Sequence, residues 1–350
     1  MKLISSVIPP LSLLASLVSA ASLSVSQQDR VAKRGPSCTP VTADNPAIDD
    51  VPAILEAIQK YGDGGVILFP EGTEYTMASR IAHSRPSESL TYWNTTREMI
   101  LVHGVCGGKL HSLTGKGVID GSGQPSYDWL SEYGKNIRRP VLLSIGGSSG
   151  ISVSGIKMLN PHAVFVYVGH GSERIELSDL DMSAVRESEH DPRNTDRFDI
   201  GEASYVTLES IKIVNQDDRV AFKPGCEYVT VRNIECDGSH GLSGATMWNS
   251  SKAIVIKIYP GGSGYGTAVV RNMTWEDNYV ENCDTAFQSE VCYEPLNKDR
   301  FYCEANPSSA EIKDVYVRNL TGTVNRQYGG SIGYVYCLVE REKILMSPRL

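Results

Sequence analysis

The amino-acid sequence predicts an all-β chain wound as a single-stranded parallel β-helix with an N-terminal capping helix. Three observations carry that expectation. Short runs of alternating apolar and polar residues recur about every 23 residues, no helical pattern falls inside the repeat, and one amphipathic helical pattern precedes it.

The elements follow in chain order. Residues 1–20 read as a secretory signal peptide: Lys2 is the positive end, Leu3 to Leu17 the apolar stretch, and Val18-Ser19-Ala20 the cleavage site. The apolar stretch is too short, and too interrupted by Pro9 and Pro10, to span a membrane, which takes about 20 residues. Lys33-Arg34 is a dibasic pair, read either as a propeptide cut or as an exposed loop. Asp49-Asp50 followed by Val51, Ile54, Leu55 and Ile58 reads as a capped amphipathic helix ending near Gly62 to Gly65. Such a helix would cover the apolar end of a solenoid. Val66 to Pro70 is the first expected strand.

The repeats come next. Residues 150–160, 174–183, 205–215 and 228–237 alternate at period two, with later echoes at 268–275 and 312–321. The step from Ile151 to Ile175 nearly equals that from Val206 to Val229. The step from Ile175 to Val206 is longer, the surplus falling in the charged stretch Arg186 to Arg193. Coils of this length stack apolar faces on one another. Leucine-rich repeats need a Leu/Asn pattern that is absent here, and a propeller blade needs about twice the period. The domain reading is therefore residues 1–20 as leader and 21–350 as one β-helix domain, apparently lacking part of a coil after Ser243 and short at the C-terminus, where coil-like alternation is lost after Gly329.

Composition restricts the function classes. The formal net charge of -8 opposes nucleic acid as a partner, since binding it needs a basic face. No segment reads as a membrane span. Sequons at Asn94, Asn249, Asn272 and Asn319 suggest a glycosylated surface on a secreted, extracellular protein. In that setting the eight cysteines read as a disulfide set rather than a metal site. No cofactor is expected, and a monomer is.

Three polar segments lie one coil apart. Asn194-Thr195-Asp196 is followed about one period later by Gln216-Asp217-Asp218, and Gly238-Ser239-His240-Gly241 comes one period after that. Residues one coil apart stack at about 4.8 Å, so Asp196, Asp217, Asp218 and His240 are expected to form a ladder. Crowded carboxylates keep one acid protonated while another ionises, the division that glycoside hydrolysis needs. Two other readings stand beside it: Asp and Asn as corner residues of the coils, and an acidic calcium site.

Asn-Thr-Asp, Gln-Asp-Asp, a His-Gly turn and the Lys-bearing strand at Ile256-Lys257, in that order, resemble the signature of polygalacturonases, glycoside hydrolase family 28. The resemblance extends to the capping helix, to residues 117–124, and to Phe222-Lys223-Pro224-Gly225. It implies a right-handed, pectin lyase-like β-helix and hydrolysis of α-1,4-galacturonosyl linkages in pectin with inversion. The motifs look most like the fungal exo-acting branch, which releases galacturonate. Carried onto this chain, the resemblance implies Asp217 as general acid, Asp196 and Asp218 holding the attacking water, and His240 tuning the acid. It further implies Asn194 orienting the ladder, Lys257 pairing with a substrate carboxylate, and Tyr293 as the family's site tyrosine.

The chain departs from that pattern at Arg197 (a small residue in the family), Arg219 (a cysteine) and Val255 (an arginine). With Arg219 in the cysteine's place, Cys236 is left to seek another partner, Cys226 being one candidate. From His240 to Lys257 the chain spends less than one coil, where the family uses more. Loss of the arginine allows a neutral sugar at one subsite, as in a rhamnogalacturonan-directed hydrolase. The shortened coil suits a catalytically impaired pectin-binding relative. A polysaccharide lyase shares the fold, but the aspartate ladder argues against it.

Overall fold

The computed structural model describes residues 2–4, 16–19, 37–45, 47–61, 66–70, 73–76, 97–112, 114–134, 137–214, 217–237, 245–261, 269–291, 293, 300–325, 329, 332–336 and 344–347. Their contacts gather into two compact units, Met1–Thr230 and Val231–Leu350.

The first unit opens with the expected helix, Val51–Tyr61, which buries Val51, Ile54, Ala57 and Ile58. Asp49 Oδ1 accepts the Val51 N–H at 3.2 Å, satisfying one of the orphan donors at the helix start. Asp50 is buried, and its carboxylate accepts from the Ala43 N–H (2.7 Å), the Thr76 N–H (2.8 Å) and the Thr42 hydroxyl (3.1 Å). It thereby ties three segments together. Lys2–Ile4 runs antiparallel to Glu74–Thr76 and Gly117–Asp120, and Ser16–Ser19 runs parallel to Val66–Phe69 and Cys106–His111.

Beyond this entrance each coil contributes strands to three faces, all parallel. One face stacks Cys106–His111, Ser149–Ser154, Ser172–Ser178 and the start of Ala203–Val214. A second stacks Gly117–Asp120, Ile156–Leu159, Asp181–Ser183 and the end of Ala203–Val214. The third stacks Glu98–His103, Val141–Gly146, Val166–Gly169, Phe198–Ile200 and Val220–Phe222. Ile151, Ile175 and Val206 are register partners, so the unequal steps between them in the sequence are real coil lengths. Inward positions form apolar columns such as Val153, Leu177 and Leu208, each at most 1% exposed. A fully buried side chain of this kind contributes about 1.5–3 kcal/mol.

Corners between faces repeat as well. Gly150, Arg174, Tyr205 and Tyr228 have φ between 53° and 67°, and so, at the next corner, do Gly155, Asp179, Ser210 and Asn233, with φ between 51° and 67°. One left-handed residue per corner turns the chain from one sheet to the next. The strain it costs at non-glycine positions, about 1–2 kcal/mol, is met by stacking: the Tyr205 and Tyr228 rings lie 4.8 Å apart and 6° from parallel.

The second unit is less regular. Ile234 pairs with Ala245 and Cys236 with Met247, a step of only half a coil, whereas Met247 pairs with Val280, well over one coil further on. Val269–Cys283 stacks on Glu311–Val324, and Lys252–Ile258, Thr285–Val291 and Gly333–Tyr336 form a second parallel sheet. Asn282 Nδ2 donates to Asn249 Oδ1 at 2.9 Å, and Asn325 Nδ2 donates to Asp284 Oδ1 at 2.6 Å, along one corner.

Several expectations need correction. The sequence pointed to one helix; Gln124–Tyr133 and Arg300–Ala305 are two more. Gln124–Tyr133 starts with proline in its first turn and ends at Gly134 in the left-handed conformation, anchored by buried Tyr127. The chain beyond Gly329 is not without coil strands, since Gly333–Tyr336 and Ile344–Ser347 both join parallel sheets. Cys38, Cys106, Cys226, Cys236 and Cys283 are thiols, while Cys303 is disulfide-bonded. The candidate Cys226–Cys236 disulfide is therefore not formed. Of the sequon residues, Asn94 and the side chain of Asn272 lie outside the described residues. Asn249 is exposed, and Asn319 donates from Nδ2 to Asp277 Oδ1 at 2.8 Å.

Candidate active site

The third face of the first unit carries the acids. The turns leading into Phe198–Ile200 and Val220–Phe222 end in Asp196 and in Asp217-Asp218. Stacking sets their register: the Phe165 N–H donates to the Asp196 carbonyl at 2.8 Å, and the Arg197 N–H to the Asp218 carbonyl at 3.0 Å. The acids of two consecutive coils are thus brought side by side.

Their environments differ. Asp217 is half-buried; one carboxylate oxygen accepts the backbone N–H of Asn194 and the other the Asp218 N–H at 3.0 Å. Both of its oxygens are thereby met by backbone donors. Asp196 is pushed up to about 8, first by burial, then by the charges of Asp217, Asp199 and Asp218, with Lys223 opposing. Asp199 is also raised, chiefly by burial, against the pull of Lys223, whose ammonium lies 3.2 Å from Asp199 Oδ1. Asp196 and Asp199 act on each other's carboxyl groups as a pair. The cluster can therefore hold a proton near neutral pH while a neighbouring carboxylate stays charged. Among the described residues no group of three His, Cys, Asp or Glu side chains is arranged to hold a metal ion.

Asp199 and Lys223 were not singled out for a role from the sequence. Asp199 sits three residues after Asp196, and strict alternation would send the two to opposite faces. Arg197 and Phe198 are both buried, so the alternation breaks and both aspartates face outward. That buried pair is the only local signal. Asn194 stands at φ 53°, the left-handed region that asparagine tolerates, and its Oδ1 accepts from Arg139 Nη2 at 2.9 Å.

The departures Arg197 and Arg219 turn inward. They are aligned in consecutive coils, next to the Phe198–Val220 pair, and both are fully buried. Arg197 stacks its guanidinium 3.9 Å from the Phe165 ring centroid and donates to the carbonyls of Thr195 and Met182 (3.3 Å each) and of Val214. It joins two faces of the coil beneath the acids.

His240 lies outside the described residues. In the second unit, Lys257 and Tyr293 are brought together as a pair: the ammonium is 5.1 Å from the ring centroid, and the Tyr293 N–H donates to the Ile258 carbonyl at 2.9 Å. Tyr259, also not foreseen, meets the Tyr293 ring edge-on at 6.2 Å. Val255 is half-buried and pairs with Gln288.

Comparisons with known proteins agree with one another. The profile of Glycosyl hydrolases family 28 matches residues 87–337. A probable endo-xylogalacturonan hydrolase A of Aspergillus oryzae is 41% identical over 91% of this chain and 85% of its own. The endo-xylogalacturonan hydrolase A of Aspergillus tubingensis is 41% identical over 86% of this chain and 80% of its own. The crystal structure of endo-xylogalacturonan hydrolase from Aspergillus tubingensis superposes with a TM-score of 0.83, at 40% identity, covering 89% of this chain and 91% of that one. An exopolygalacturonase from Thermotoga maritima, 14% identical with a TM-score of 0.59 over 85% of each chain, shares the fold. The exo-branch expected from the motifs is not the branch for which the two Aspergillus relatives are named.

Proposed function

We propose that this chain, which belongs to glycosyl hydrolases family 28 and is a pectin-degrading glycoside hydrolase, cleaves α-1,4-galacturonosyl linkages within a xylose-substituted galacturonan. The observation that carries the reading is the stacking of Asp196 and Asp199 against Asp217 and Asp218, with Asp196 held up to about 8 by burial and its neighbours. In this proposal Asp217 protonates the leaving oxygen. As the proton departs, charge grows on a carboxylate at which two backbone N–H groups are aimed. Asp196 and Asp218 hold water on the opposite face of the sugar ring, and the anomeric centre inverts. The resting proton on Asp196 moves to the carboxylate that needs it when substrate displaces solvent, since the cluster titrates as a set.

Substrate choice follows from charge. Lys257 over Tyr293 suits one galacturonate carboxylate and a sugar face. Val255, in place of a bidentate arginine, leaves room for an uncharged substituent, and the relatives named for xylogalacturonan favour xylose over rhamnose. His240 is assigned the tuning role by the family resemblance, and a place in the ladder by its spacing. Secretion after cleavage at Ala20, action outside the cell as a monomer, and glycosylation at Asn94, Asn249, Asn272 and Asn319 complete the proposal. A second reading, a catalytically impaired pectin-binding relative, is favoured by the short step between Ile234 and its partner Ala245.

The test compares xylogalacturonan, polygalacturonate and rhamnogalacturonan. Reducing ends should appear fastest on xylogalacturonan, with an early fall in viscosity, an inverted anomer by NMR and no unsaturated product absorbing in the ultraviolet. Galacturonate alone, without internal cleavage, would return the exo reading. Tight binding without turnover would establish the impaired relative.

A further inference from the structure

A polar line along the first unit ends at Asp217 and begins at a residue that the sequence did not mark. Arg139 lies in the extended residues 137–140 before the strand Val141–Gly146. The register sets Leu143 against Val166, and Val166 against Phe198. Carried back along the three strands in step, those pairings place positions 139, 162 and 194 over one another in successive coils. The Arg139 side chain runs along that column. Its Nη1 donates to the carbonyls of His162 at 2.8 Å and Arg193 at 2.6 Å, and its Nη2 to Asn194 Oδ1 at 2.9 Å. Asn194, turned to φ 53°, directs its backbone N–H at the Asp217 carboxylate. Arg139 therefore holds the residue that hydrogen-bonds Asp217 by its side-chain oxygen and by the carbonyl before it, and ties both to His162 in the neighbouring coil.

A neutral donor would serve to tie two carbonyls together. Burial works against the guanidinium charge, while Tyr127, Asp217 and Asp196 work for it. The flat fork also matters, because a lysine ammonium cannot reach carbonyls in two coils and a side-chain oxygen in one fixed plane.

We propose that Arg139 is a positioning residue for Asp217, holding Asn194 in the one conformation that aims its N–H at the carboxylate. The proposal deepens the functional reading above and rests on it for its kinetic consequence. It does not rest on that reading for its structural one. Asp217 acts electrostatically on both Asp196 and Arg139, and its two oxygens accept from the Asn194 and Asp218 N–H groups, so losing the Asn194 bond removes one of those two donors.

The experiment makes Arg139→Lys and Arg139→Gln in the full chain. It reads three quantities: the thermal midpoint, the Asp217 carboxyl resonance at one fixed pH by carboxyl-labelled aspartate NMR, and kcat and KM on xylogalacturonan. The Asp217 carboxyl resonance should move from its parent position in both variants, as the Asn194 N–H no longer points at the carboxylate. kcat should fall about tenfold to a hundredfold, the cost of a misplacement of about 1 Å, with KM changing far less. A merely structural arginine would lower the thermal midpoint and leave the Asp217 carboxyl resonance and kcat of folded protein at parent values; that result overturns the proposal. Should neither variant fold, Asn194→Ala leaves the two carbonyl bonds of Arg139 in place. It should still move the Asp217 carboxyl resonance, and a parent-like resonance there overturns the proposal equally. If the parent turns over no galacturonan, the functional reading falls, and the Asp217 carboxyl resonance alone decides Arg139.

Discussion

Residues 149–222 and residues 231–350 belong to the same kind of solenoid but obey different arithmetic. In the first stretch, register partners such as Ile151 and Ile175, Ile175 and Val206, or Phe198 and Val220 are separated by one coil, each corner carries a left-handed residue, and apolar columns run unbroken. In the second, the step from Ile234 to Ala245 is half a coil, and those from Met247 to Val280 and from Val280 to Gly322 are much longer than one. A parallel pair usually needs a connection of about a dozen or more residues; between Asp237 and Ala245 only the short stretch 238–244 intervenes. The difference teaches where a β-helix can vary. Strand stacking requires matched strand segments, not matched coil lengths, so insertions such as 186–193 loop out at a corner without disturbing the column. The carboxylates sit in the regular stretch, where spacing alone brings them into register.

If the regular stretch holds the chemistry, the largest effect should come from Asp217→Asn. Hydrolysis of xylogalacturonan should drop by about 10²- to 10⁴-fold, the usual contribution of a positioned acid, with circular dichroism and thermal midpoint near parent values. A variant keeping more than about a tenth of the parent rate would remove Asp217 from that role and break the assignment.

The irregular stretch offers the next test. Inserting a coil of about 23 residues after Ser243 restores the sequence spacing between His240 and Lys257 that the family resemblance implies. Steady-state kcat/KM should then rise, by about 10²-fold if a misplaced Lys257 limits the parent. An insertion that leaves the rate unchanged would show that the short connection is a settled feature of this chain.

The smallest effect sharpens the regular stretch itself. Asp196 titrates at about 8 in the folded chain against an ordinary 3.8. A carboxyl raised in this way stabilises the fold fully below its unfolded value, and that contribution is lost as pH rises through its folded value. The Asp196 contribution to the thermal midpoint should therefore decline between about pH 4 and pH 8, and Asp196→Asn should remove that contribution from the parent's pH profile. Buried His162, lowered to about 3, acts in the opposite sense as pH falls below its ordinary 6.5, so the contrast between parent and variant isolates Asp196. Equal slopes in the two proteins would place the proton elsewhere in the cluster.

Much of this could be read from the chain alone. Alternation at period two named the strands, and the offsets Ile151–Ile175 and Ile175–Val206 are true register pairs because strands stack residue on residue. Ordered acids one coil apart had to meet for the same reason. What the sequence left undetermined depends on side chains crossing between coils. Asp199 faces outward only because Arg197 and Phe198 both turn inward, and Lys223 acts through the aspartate one coil before it. Arg139 reaches Asn194 across two coil boundaries, although the two are far apart along the chain. Periodicity is a property of the backbone and is written along the sequence. The tuning of a carboxylate depends on which charges and N–H groups end within a few ångströms of it, and only the stacked coils decide that.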